Sequence, residues 1–185
     1  DHVDQEQVEP EGRGRRLDVP ATVAPLRPVL VALGPGEMLV IGARPGRGKS
    51  HMAGDLAYGW AAEGAAGVVL TAEDAPPEWA AREVAKRAGG VVNLEAMRAG
   101  HADLRAWTAY HQHAAEVARL PVRVGGVAGR RACDVAARMR RAAERGARFA
   151  VVDYVQLIRP SARTGTPSED VTAVAGELLD TAIDC

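Results

Sequence analysis

The residues best suited to chemistry lie in one short run, Ala43-Arg44-Pro45-Gly46-Arg47-Gly48-Lys49-Ser50. It fits the phosphate-loop pattern, except that Ala43 stands where the first glycine usually does. Such a loop wraps backbone N–H groups around a polyphosphate, and the helix after it presents its positive end. Gly46 and Gly48 allow close backbone approach. Lys49 is placed to reach the β and γ oxygens, and the Ser50 hydroxyl to ligate Mg2+. Of the 23 basic side chains, only Lys49 and Lys86 are lysines. Where a guanidinium would serve, this sequence uses Arg, so a surviving lysine points to a need for a compact ammonium. The plain alternative is a Gly/Arg-rich surface loop. It leaves unexplained both that lysine and the apolar run before and amphipathic run after the loop.

Two acids stand at other strand ends. The apolar run 149–152 closes on Asp153, the usual place of a magnesium-side carboxylate acting through a metal-bound water. The run Val68-Val69-Leu70-Thr71 is followed by Ala72, Glu73 and Asp74. In an open parallel sheet the strand carboxyl ends share one ligand crevice, so Glu73 is placed to polarise a water near a terminal phosphate. Asp74, just before Pro76 and Pro77, reads instead as a helix-start residue.

The elements that must position these groups alternate along the chain. Residues 1–20 are polar, acidic and without apolar period, and read as a mobile arm or linker. Gly34-Pro35-Gly36 is a turn signal leading into a short buried strand at 38–41. Helices are expected over 50–63, 77–88, 103–120 and 134–145. Strands are expected over 67–71, 121–124 and 149–152. Thr166-Pro167-Ser168-Glu169 forms a capping box with proline at the first helical position, opening a helix with Val171, Val174, Leu178 and Leu179 on one stripe. This alternation defines an α/β domain over 21–185 with a mainly parallel sheet flanked by helices.

Composition bounds the rest. The chain has 185 residues, 23 basic and 24 acidic side chains and a formal net charge of -1. That suits one domain and excludes a generally basic protein that coats nucleic acid. No apolar run approaches the roughly eighteen residues of a membrane span. Cys133 and Cys185 cannot form a disulfide framework, and a cytoplasmic setting is expected. The chain opens on Asp1 rather than Met and stops directly after a helical pattern, which reads as a piece of something longer.

Together these motifs resemble the RecA-like ATPase domain of the DnaB family of replicative hexameric helicases. A-R-P-G-R-G-K-S at 43–50 resembles its phosphate loop, including the Ala and the Arg-Pro. V-V-L-T-A-E-D at 68–74, with Arg82 downstream, resembles its second motif, which implies that Glu73 is the catalytic base. V-V-D-Y-V-Q-L-I at 151–158 resembles its third, which implies that Asp153 is the Walker B acid. The resemblance implies a RecA-like phosphate-loop fold, ATP and Mg2+ as cofactors, single-stranded DNA as partner and a homo-hexamer. It also implies a further strand after the helix that ends near Cys185. That strand lies between the phosphate-loop strand and the Asp153 strand and carries a γ-phosphate sensor. A second DNA-binding loop and an arginine finger follow it, so the present chain lacks its last strands. The loop 159–166 remains as a DNA-facing candidate, with Arg159 and Arg163 able to meet phosphates.

Weaker features carry less. His111 and His113 point to different faces of one helix, without further ligands in spacing for zinc. Arg138, Arg141 and Arg145 share a helix face and read as solvated or as a subunit contact. Trp60, Trp79 and Trp107 read as core. Three functions are compatible: an ATP-driven helicase, a RecA-like ATPase of recombination without unwinding, and a non-catalytic nucleotide-binding fragment.

Overall fold

The computed structural model describes residues 15–162 and 165–185. Three parallel strands form the sheet: β1 (Gly67–Thr71), β2 (Val122–Gly126) and β3 (Phe149–Asp153), in the order β2-β1-β3. β1 is central and all five of its residues are buried. The helices are α1 (Lys49–Ala62), α2 (Pro76–Arg87), α3 (Leu94–Arg98), α4 (Leu104–Ala118), α5 (Ala132–Glu144) and α6 (Pro167–Asp184).

Alternation along β1 sorts the helices into two layers. Val69 joins Phe149, Leu56, Trp60, Trp79 and Val117 in a core on one face, built with α1, α2 and α4. Val68 and Leu70 join Val135, Val174 and Leu178 on the other, under α5 and α6. A two-residue period places successive side chains on opposite faces, so both faces of a β-branched strand are covered. The register sets Thr71 beside Asp153 and Gly67 beside Phe149. Gly67 is a packing requirement, because a Cβ there would overlap the Phe149 ring.

The expected strand at 38–41 does not form. Among the described residues it joins no ladder. Val40 is 75% exposed, and of this run only Ile41 packs against the core. A strand exists only where a neighbour takes its N–H and C=O groups. The outer edge of β3 has no described partner strand either, and Ala150 on β3 is exposed. The apolar run and the outer edge of β3 are thus both without a strand partner among the described residues.

Of the residues read as an arm, 1–14 lie outside the described ones. Residues 15–20 lie against the body. Leu17 forms an antiparallel bridge with Leu33, with N···O distances of 2.7 and 2.8 Å, and Leu17 and Val19 are buried. The short 3-10 segment Ala21–Leu26 then packs on α1, where a Cβ on Gly59 would come within 2.6 Å of Pro20.

α4 turns a different face inward from its most apolar stripe. Leu104 is 82% and Trp107 40% exposed, while Ala106 and Val117 are buried. Trp107 is therefore not core; it stacks on His111 at 6.0 Å. Trp60 and Trp79 are core, at 6% and 2% exposure. The N-cap of α6 is as expected, with Thr166 accepting from Glu169 N at 3.3 Å and Pro167 opening the helix, while the Glu169 carboxylate accepts from the Thr166 hydroxyl at 3.0 Å. No described helix is long and apolar enough to cross a membrane.

Candidate nucleotide site

The loop before α1 has the backbone that its glycines permit. Gly46 and Gly48 lie at φ 72° and 82°, a left-handed region that strains any residue with a Cβ. Arg47 N bonds Arg44 O at 3.3 Å, closing a turn. Gly48 is the N-cap of α1 and supplies no side-chain acceptor. The first-turn N–H groups of α1 are thus left for an acceptor from outside the helix, which is what a phosphate offers. Residues 43–48 are all exposed, and a Cβ at Gly46 would meet nothing within 4 Å. The residues present therefore fit a polyphosphate.

Lys49 Nζ lies 3.3 Å from Ala43 O and 5.8 Å from the centroid of the Tyr154 ring. The loop lysine thereby stands beside the residue that follows Asp153. Asp153 is 4% exposed, and its Oδ2 accepts from Trp79 Nε1 at 3.2 Å. Trp79 lines a small cleft between α1 and α2 with Ser50, Gly54 and Lys86. Ser50 and the partner of Asp153 thus border the same space.

Glu73 sits two residues beyond Thr71, which pairs with Asp153, and Ala72 N donates to Asp153 O at 2.7 Å. The two acids therefore leave adjacent strand ends. Glu73 is exposed, and among the described residues its carboxylate has no hydrogen-bond or ion-pair partner. Asp74 is not the helix cap it was expected to be: Ala75 is the N-cap of α2. Asp74 instead pairs with Arg82, and its N–H donates to Thr71 Oγ1 at 3.1 Å. The loop carrying Glu73 is held at both ends by these bonds.

Lys86 is the residue whose place the chain's lysine bias hinted at without locating. Its Nζ lies 2.7 Å from Asp55 Oδ1, 3.4 Å from Glu83 Oε2 and 3.2 Å from His51 O. Glu83, 6% exposed, also accepts from Arg87 at 3.0 Å. This cluster ties α2 to the helix that follows the phosphate loop.

The DNA-facing candidates are less complete. Arg159 is exposed, and its backbone bridges to Arg131; Arg163 lies outside the described residues. Arg138 is not free in solvent, since its Nη1 donates to Gly126 O at 3.0 Å. His113 meets Glu116 at 2.9 Å, and no group of three or more metal-ligating side chains occurs among the described residues.

A parallel sheet covered on both faces, with a glycine loop and lysine opening one helix and an acid closing a strand nearby, defines the RecA-like class of phosphate-loop folds. Two solved structures share it at 18% identity. One is the structure of a DnaB-like replicative helicase and its interactions with primase, with a TM-score of 0.66 over 76% of this chain and 34% of that one. The other is an ATPase domain, with a TM-score of 0.67 over 76% of this chain and 51% of that one. Residues 19–184 match the DnaB-like helicase C terminal domain, and the chain belongs to that family. The replicative DNA helicase DnaB of Leifsonia xyli subsp. xyli (strain CTCB07) is 26% identical over 179 residues, covering 92% of this chain. The chain spans 37% of the length of that relative.

Proposed function

We propose that this domain is the ATP-hydrolysing motor of a replicative DNA helicase, working as a homo-hexamer on single-stranded DNA. The observation that carries the reading is the approach of Lys49 to Tyr154, which puts the phosphate loop beside the carboxyl end of β3. In this reading the backbone of residues 43–50 and the Lys49 ammonium hold the ATP phosphates. Ser50 and, through a water, Asp153 hold Mg2+. The ion's charge offsets that of the phosphates when bound. Glu73, exposed and without a partner among the described residues, takes the proton of the attacking water. Arg159 and Arg163 meet DNA phosphates, where positive charge and forked N–H donors rather than base reading are needed. A cytoplasmic location follows from a replicative role.

The test is Lys49→Ala in the longest natural chain containing these residues. It removes a charge-assisted contact worth about 1.5–3 kcal/mol. ATP affinity, turnover and strand unwinding should all fall. Unchanged affinity and turnover would place the site elsewhere. Turnover without unwinding in the unaltered chain would favour a RecA-like ATPase of another kind.

A further inference from the structure

Three indoles are available in this chain, and they end differently. The Trp60 N–H goes to a backbone carbonyl, Asp18 O, at 2.7 Å. Trp107 is largely at the surface. Only the Trp79 N–H ends on an acid of the candidate site, Oδ2 of Asp153, across 74 residues of sequence. We propose that Trp79 is a positioning residue for Asp153, fixing one carboxylate oxygen so that the acid is preset for its magnesium-side role.

The inference rests on the assignment of Asp153 made above and goes beyond it. Asp153 is almost fully buried, and among the described residues Trp79 supplies the one side-chain donor it meets. An indole N–H only donates. It can orient the carboxylate but offers no lone pair to compete for a cation or a water. One oxygen is thereby occupied, and the other has no protein donor among the described residues.

The ring itself has little freedom. It is 2% exposed and stacked on Tyr58 of α1, with centroids 5.8 Å apart and planes 27° apart. A Cβ on Gly54 would lie 3.5 Å from its far edge. The donor is therefore held by the helix that follows the phosphate loop, and it transmits that helix's position to the end of β3. Partners that orient a direct metal ligand are typically worth about 10–100-fold in metal affinity, and because Asp153 acts through a water the effect here lies at the low end of that range.

The experiment uses the longest natural chain containing these residues and a fluorescent ATP analogue. Binding is measured with Mg2+ titrated and with Mg2+ absent, in Trp79→Phe, Asp153→Asn and the double variant. Trp60→Phe is the control for loss of a buried indole donor. Trp79→Phe should raise the Mg2+ needed for half-maximal binding by up to about 10-fold. Affinity without Mg2+ should stay within about twofold, because the phosphate loop is untouched. Asp153→Asn should raise the Mg2+ requirement too, and the double variant no further, since both act through one carboxylate. Trp60→Phe should lower thermal stability and leave the Mg2+ requirement alone. If Asp153→Asn shifts the requirement and Trp79→Phe does not, the positioning role is wrong and the assignment of Asp153 survives. If Asp153→Asn itself shifts nothing, the assignment falls and takes the proposal with it. Should Trp79→Phe fail to fold, benzothienylalanine at position 79 replaces the N–H by sulfur in a ring of the same shape, and the same outcomes decide.

Discussion

Lys86 Nζ stands 2.7 Å from Asp55 Oδ1 and 3.4 Å from Glu83 Oε2, joining α2 to α1 through one ammonium. Lys86→Ala leaves the buried Glu83 with Arg87 as its remaining cation. Breaking one arm of a partly buried pair strands charge that water reaches poorly. The expected loss is about 1–2 kcal/mol, given that Lys86 and Asp55 keep some solvent contact. A urea midpoint measures it. A midpoint equal to that of the unaltered chain would mean that the cluster is electrostatically idle.

The two acids at the strand ends should fail differently. Glu73→Gln is expected to keep ATP bound and slow its hydrolysis by about 10²–10⁴-fold, the range for a general base. Asp153→Asn is expected to act instead through the Mg2+ requirement. Single-turnover hydrolysis beside equilibrium nucleotide binding separates the two. Normal turnover by Glu73→Gln would move the base elsewhere, and the Asp74–Arg82 pair makes Asp74 a poor substitute.

Gly67→Ala should destabilise by about 1–3 kcal/mol, because the new methyl overlaps the Phe149 ring on the neighbouring strand. Phe149→Leu makes room there. The double variant should therefore melt higher than the sum of the two single losses predicts, a coupling that a double-mutant cycle reads directly.

Tyr58 supplies a pH signature. Burial, helped by the Glu83 carboxylate, pushes its phenol up to about 12 from 10.0. Between these values the unfolded chain releases a proton that the folded chain keeps. Stability therefore falls as pH rises through this window, by about 2 kcal/mol in all. Below pH 10 the group contributes no slope. Chemical denaturation at several pH values should show the decline, and Tyr58→Phe should flatten it.

The open edge of β3 bears on the chain as a separate piece. With the 38–41 run and the β3 edge unmatched, residues 1–185 alone should melt at low temperature or aggregate, and turn over ATP poorly. A version that supplies a strand on the open edge of β3 should raise both the melting temperature and the DNA-stimulated rate. Equal values for the two versions would contradict this.

Local signals carried most of the architecture. The runs at 68–71 and 149–152 are strands because four consecutive apolar or β-branched residues suit a mainly buried parallel sheet. The phosphate loop was legible because its glycines, lysine and serine have fixed offsets. The misses share a cause, dependence on a partner distant in sequence. The 38–41 run has strand composition but no neighbour. On α4 two stripes have helical spacing, and only packing against α2 decides that 106 and 117 turn inward rather than 104 and 107. Trp79 has the period of a core residue, which it is, but period says nothing about where an indole N–H ends. Asp74 has the composition of a cap, and Arg82 eight residues on claims it instead.

One helix, α2, reaches three of the acids around the candidate site. It carries Trp79 to Asp153, Arg82 to Asp74, and Lys86 to Asp55 and the His51 carbonyl beside Ser50. A rigid helix moves as a unit, so these groups share a common frame of reference. Thermal displacements that carry α2 sideways shift all three attachments by similar amounts. The placements of Asp153, Asp74 and Asp55, on three different elements, are thereby coupled through one helix.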